Sequence, residues 1–156
     1  MHNVVEGNLK GDGKKVAIIA SRFNSFIVDR LIEGANDALL RHGVKEGDIT
    51  LYKVPGAFEF AGFLSKFLSV KQKEFDGAIC LGAVIRGETP HFDYVASESS
   101  KAIAHLSMNH SLPIGFGILT VDTLEQAINR AGAKSGNKGY ECAMSILEMM
   151  DLYSKI

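Results

Sequence analysis

Four short runs of nearly continuous apolar character, residues 15–21 (KVAIIAS), 48–54 (DITLYKV), 76–85 (DGAICLGAVI) and 112–120 (LPIGFGILT), alternate along the chain with stretches of helical period. A strand with one face in water alternates polar and apolar positions, and these runs do not. Both faces are therefore expected to be covered, as in a parallel sheet between helix layers. The alternation predicts successive βαβ units, hence a three-layer α/β/α sandwich around a four-stranded parallel sheet.

The helices are read from spacing and punctuation. The first begins near Asn24 or Ser25, buries Val28, Leu31, Ile32, Ala35 and Leu39, and stops at Gly43 in the C′ position. The second, from about Ala57 to Val70, follows the Val54-Pro55-Gly56 corner. Its phenylalanines 58, 60, 63 and 67 cannot all face one core layer. The third runs from Pro90 to about His110, with Thr89 as N-cap, Pro90 at N1 and His91 at N2. The fourth, Thr123 to Ala131, opens with Asp122 and Glu125 in a D-x-x-E variant of the capping box. A polar, glycine-rich loop, residues 132–139 (GAKSGNKG), precedes a last helix from about Tyr140 to Tyr153. Residues 3–7 (NVVEG) can form a strand that the chain's own sheet has no evident place for. An unpaired terminal strand points to a partner edge on another chain.

The chain has 156 residues, one domain's worth, with 46% hydrophobic and 22% charged residues. Seventeen Lys and Arg against eighteen Asp and Glu give a net charge of −1, so no global field gathers nucleic acid or an acidic membrane. The longest apolar run, around Ala78 to Ile85, is short of the roughly 20 residues a membrane span needs. The first residues show no secretory signal pattern, and a cytoplasmic location is expected. Cys80 and Cys142 have no metal-type spacing and are read as buried free thiols.

In parallel α/β sheets ligands bind beyond the carboxyl ends of the strands, so four corners hold the candidate chemistry: 21–24 (SRFN), 54–60 (VPGAFEF), 85–91 (IRGETPH) and 115–120 (GFGILT). Together they offer aromatic faces, backbone donors at helix starts, a carboxylate and a histidine, the makings of a small-molecule pocket. First-turn amides behind Thr89 and Pro90 suit an anion, Gly87 lets the backbone approach it, and His91 stands beside it as a proton carrier. The plain alternative is a capped helix with a surface histidine. Arg130 reads either as a phosphate clamp or as a cation on a helix C-terminus, and Lys138 as a site residue or a solvated lysine. Phe23 is a core aromatic or a ring offered to a heterocycle; Glu59 answers a helix dipole or accepts from hydroxyls. No G-x-G-x-x-G, Walker A or G-x-S-x-G pattern occurs, and His91, Asp93 and His105 do not share a helix face as metal ligands would.

The ordered set SRFN, VPGAFE, GAVIRGETPHFDYV, FGILT, EQAINRAG and KSGNKG resembles the 6,7-dimethyl-8-ribityllumazine synthase family of riboflavin biosynthesis. That resemblance implies a flavodoxin-like single domain over residues 1–156, with residues 1–10 as an exchange segment that pairs with a neighbouring subunit. It also implies a transferase that condenses 5-amino-6-(D-ribitylamino)uracil with 3,4-dihydroxy-2-butanone 4-phosphate, without metal or other cofactor. By position, Phe23 is expected to stack on the pyrimidine, Ala57, Phe58 and Glu59 to border the ribityl chain, and Ala83, Val84 and Ile85 to line the heterocycle site. Glu88 and Thr89 with Arg130 are expected to hold the phosphate, and His91 to transfer protons. Phe116 and Lys138 would complete the pocket from a neighbour in a pentamer. The short 132–139 loop further resembles family members that assemble into icosahedral shells. Two other readings stay open: a riboflavin synthase of the related pentameric type, and a non-catalytic flavin-binding shell protein.

Overall fold

Val16, Ile18 and Ala20 face one side of β1 (Val16–Ser21) and Ala17 and Ile19 the other, and all five are fully buried. This computed structural model describes residues 1–132 and 136–156. The first side packs on α1 (Ser25–Arg41) and α5 (Lys138–Tyr153), with Ala127 of α4 (Leu124–Arg130) in the same cluster. The second packs on α2 (Phe60–Lys71) and α3 (His91–Asn109). Two apolar layers on one strand require the continuous hydrophobic run that the sequence shows.

β1 pairs in parallel with β2 (Ile49–Val54) and β3 (Gly77–Ile85), and β3 with β4 (Ile114–Val121), giving the order β2-β1-β3-β4. All four expected strands are present, and the doubly wound, flavodoxin-like arrangement follows from that order. The direction of winding reverses between β1 and β3, which opens a crevice at their carboxyl ends. β2 departs from expectation. Thr50, Leu51 and Lys53 are exposed because β2 is an edge strand reached only in part by the helix layers.

Several helix starts also differ. Asn24 stands at the N-cap of α1 but in the left-handed region (φ 62°), and its side chain caps nothing. Residues 57–59 form a single 3-10 turn before α2 begins at Phe60. α3 starts at His91 with Pro90 in the cap position and no side-chain cap, so Thr89 is not the N-cap, and Pro90 and His91 each stand one place earlier than expected. The box at α4 is Thr123 with Gln126 rather than Asp122 with Glu125: the Thr123 hydroxyl accepts from the Gln126 amide (3.1 Å), and Gln126 Oε1 accepts from the Asp122 amide (2.8 Å). At the far end of α1, Gly43 adopts φ 98° past the C-cap, as the sequence suggests.

The phenylalanines after β2 divide as their spacing requires. Phe60 and Phe67 are buried, Phe63 packs on Tyr52 with ring centroids 5.4 Å apart, and Phe58 is exposed. Residues 1–8 join no strand among the described residues. Their end is tied to α5 and the turn after it, where the Asn8 amide donates to Asp151 Oδ2 (2.6 Å) and Lys155 Nζ to the Glu6 carbonyl (2.8 Å), while Val4 and Val5 are exposed. Ala133, Lys134 and Ser135 lie outside the described residues, and with them the loop comparison behind the expected shell.

Candidate functional site

Backbone pairing at the strand ends builds the floor of the crevice. The Arg22 amide donates to Val54 O (2.8 Å) and the Phe23 amide to Pro55 O (3.0 Å), so the β1 and β2 corners continue side by side past the sheet. Across the switch point, Asn24 Nδ2 donates to the Ala83 carbonyl (2.8 Å). This contact explains the backbone of Asn24: asparagine tolerates the left-handed region better than other residues with a Cβ, and only there does its amide serve β3 instead of capping α1. By pattern Asn24 reads only as a cap, and nothing local distinguishes the two uses.

Above that floor lies a cavity of 530 Å³, within the range of small-molecule sites. Phe23, Ala57, Phe58, Glu59, Ala83, Val84, Ile85, Thr89 and His91 all line it, with Asn24, Gly87 and Phe92 among the rest of its wall. Nine of the expected site residues thus meet in one place, drawn from the carboxyl ends of three strands. The fourth expected corner does not contribute, because β4 sits on the edge beyond β3. Phe23 is 72% exposed and Phe58 is 58% exposed, so both rings stand at an open rim. Neither ring belongs to the core, which removes the plain reading of Phe23.

The loop from β3 to α3 forms the polar wall. The amides of Gly87, Glu88 and Thr89 meet no acceptor among the described residues, and α3 adds its positive end beside them. A Cβ placed at Gly87 would touch nothing within 4 Å, so the chain's own packing does not require glycine there. Arg86 opens the loop. Its Nε donates to Asp122 Oδ1 (2.8 Å), an Nη approaches Asp93 Oδ1 (3.4 Å), and its guanidinium carbon lies 4.5 Å from the centre of the Phe92 ring. The Asp122 carboxylate, foremost, holds the Arg86 charge more firmly than usual. Motif and spacing assign no role to Arg86, although its place directly after a central strand marks it as a residue of the switch-point loop.

Glu88, Phe116, Arg130 and Lys138 do not line this cavity. Phe116 is on edge strand β4 and 45% exposed. Arg130 and Lys138 flank an antiparallel bridge between Ala131 and Asn137, which sets the two cations on either side of one loop. Asn137 holds that arrangement: its Oδ1 accepts from the Tyr140 amide (3.0 Å), and its Nδ2 donates to the carbonyls of Arg30 (2.9 Å) and Ala131 (3.0 Å). One chain therefore presents two separate groups of candidate residues, one in the cavity and one away from it.

A larger hollow, 640 Å³, lies at the opposite end of the sheet between Lys15, Asp48, Lys73 and Asp76. Its walls mix lysines with carboxylates at the amino ends of the strands, away from the switch point, and it is a weaker site than the cavity over Ala83. Both cysteines are buried. Burial raises the Cys80 thiol far above its ordinary range; it also pushes Cys142 up to about 12, against a smaller opposing effect of the Lys138 charge.

Comparison with known proteins agrees with this geometry. A model described as 6,7-dimethyl-8-ribityllumazine synthase matches residues 13–154. The enzyme of that name from Campylobacter lari is 56% identical over 155 residues, covering 98% of this chain and 97% of the relative. That from Campylobacter jejuni strain 81-176 is 54% identical over 155 residues, with 99% of each chain covered. That from a Nitratiruptor species is 56% identical over 151 residues, with 96% of this chain and 97% of the relative covered. With a match of this extent, the chain belongs to the 6,7-dimethyl-8-ribityllumazine synthase family.

Proposed function

We propose that this transferase condenses 5-amino-6-(D-ribitylamino)uracil with 3,4-dihydroxy-2-butanone 4-phosphate in the cavity over β1, β2 and β3, releasing 6,7-dimethyl-8-ribityllumazine, phosphate and water. The observation that supports this best is the meeting of Phe23, Glu59, Thr89 and His91 on one cavity wall. In this reading the pyrimidine ring stacks on Phe23 against Ala83, Val84 and Ile85. Ala57, Phe58 and Glu59 border the ribityl chain, with the Glu59 carboxylate accepting from its hydroxyls. The free amides near Glu88 and Thr89, at the start of α3, receive the phosphate together with Arg130.

The attacking amine belongs to the substrate, so no protein nucleophile is required. Imine formation, loss of phosphate and ring closure each move protons, and His91 sits where it can take and return them. Holding two partners in register contributes a large part of the acceleration. Arg130, Phe116 and Lys138 act on a neighbour's cavity in this reading, which accounts for their distance from the chain's own.

Residues 1–156 are read as one domain and residues 1–10 as its exchange segment. The exposed Val4, Val5, Phe116 and Leu124 favour an assembly that covers them, a pentamer and, beyond it, an icosahedral shell. The test is to mix both substrates and follow lumazine absorbance, then to supply lumazine alone. Product in the first experiment is expected. Riboflavin in the second would instead assign a riboflavin synthase, and silence in both a flavin-binding shell.

A further inference from the structure

The loop carrying Gly87, Thr89 and His91 into the cavity has few supports of its own. No side chain caps the start of α3, and the space around Gly87 is open. Yet the loop must present its amides and an imidazole in fixed register if they are to act on one ligand. We propose that Arg86 is the positioning residue of this loop, tying its two ends together and to the end of β4. This rests on the reading of the cavity as the condensation site.

The contacts converge on that task. The Arg86 amide extends β3 pairing by donating to Val121 O (2.8 Å), which fixes where the loop departs. From there the side chain reaches the loop's far end in two ways, through Asp93 in the first turn of α3 and through the face of Phe92, itself a cavity wall. Nε holds Asp122 at 2.8 Å, and Asp122 is anchored in turn by Gln126 of α4. A planar guanidinium can serve two carboxylates and lie on a ring at once; an ammonium cannot. Exposed ion pairs add little to stability, so the effect of this cluster is geometric. Nε and one Nη of Arg86 already face Asp122 and Asp93, so a phosphate ligand role is the competing outcome that the Asp122 variant below separates.

The experiment uses the full chain, with each substrate varied in turn at saturation of the other, alongside thermal melting. Arg86→Gln is expected to lower kcat/KM for the phosphorylated substrate by roughly 10- to 100-fold, the scale of a loop displaced by about an ångström. KM for the pyrimidine should stay within about twofold. Asp122→Asn should shift the same parameters in the same direction by less, and Arg86→Lys should recover part of the loss. If Arg86→Gln fails to fold, Asp122→Asn decides the question alone. A parallel rise in both KM values would make Arg86 a general structural residue, and unchanged kinetics would remove it altogether. A lower KM for the phosphorylated substrate in Asp122→Asn would make Arg86 a ligand freed by the change. Each of these overturns the proposal. Failure of the unsubstituted protein to form lumazine would instead overturn the reading beneath it.

Discussion

In the proposed function His91 and Arg130 divide two tasks, proton transfer and anion holding. His91→Ala is expected to slow turnover by roughly 10- to 1000-fold, within and below the usual range for a general acid–base group because the substrates react slowly unaided. Pyrimidine binding, read by calorimetry, should be nearly unchanged; an unaltered kcat would remove His91 from the mechanism. Arg130→Ala removes a charge-assisted contact and should raise KM for the phosphorylated substrate by roughly 10- to 100-fold while sparing the pyrimidine. The buried thiols set a different boundary. Cys142 is held up near 12 by burial, and Cys80 is raised as well. Below the ordinary thiol range both states of the chain are protonated and stability does not depend on these groups. Above it, the unfolded chain ionises first, so stability is lost as pH rises from about 9 towards the folded values. Melting temperature measured across that window should fall, and Cys142→Ala should flatten the fall.

At the scale of elements, caps and ties count more than propensity. Thr123→Ala removes the only side-chain cap of α4 among the described residues and should destabilise the fold by about 1 kcal/mol in denaturant titration. The N-terminal segment is tied down by the Asp151 carboxylate and by the Lys155 ammonium on the Glu6 carbonyl. The Asn8 amide, first, and then Lys155 hold the Asp151 carboxyl below the usual range, so this contact is present above the unfolded carboxylate pKa and weakens as pH falls through the depressed one. Deletion of residues 1–8 should impair assembly and, through the shared site, activity. Intact assembly and full activity after the deletion would defeat strand exchange.

For the whole molecule, the proposed reading makes one chain an incomplete site. The cavity residues stand at an open rim with Phe23 and Phe58 exposed, and Phe116, Arg130 and Lys138 lie away from it. Light scattering is expected to find a closed assembly larger than a pentamer. A sole species at pentamer mass, over a range of buffers and phosphate concentrations, would rule out the shell and leave the ring.

The strands, the parallel sheet and the candidates Phe23, Glu59, Thr89 and His91 were legible from the residues alone, because each follows from local signals, whereas Ala57, Phe58, Ala83, Val84 and Ile85 were expected from the family resemblance. Continuous apolar runs demand two covered faces, and residues after such strands must meet at the carboxyl edge. Phe23, Glu59, Thr89 and His91 did so, in one cavity with the five residues that the resemblance supplied. What each side chain would bond was not legible. Asn24 fits a helix cap equally well by pattern, and only the approach of Ala83 across the switch point turned its amide to β3. Thr123 displaced Asp122 as the cap for a similar reason: with Asp122 drawn to Arg86, the next hydroxyl met the helix amides. Exposure of β2 and the contacts of Arg86 were likewise hidden, since strand order and the gathering of residues 86, 93 and 122 depend on contacts distant in sequence. Those were settled by the folded chain, because a side chain with several possible partners takes the one that the rest of the fold brings within reach.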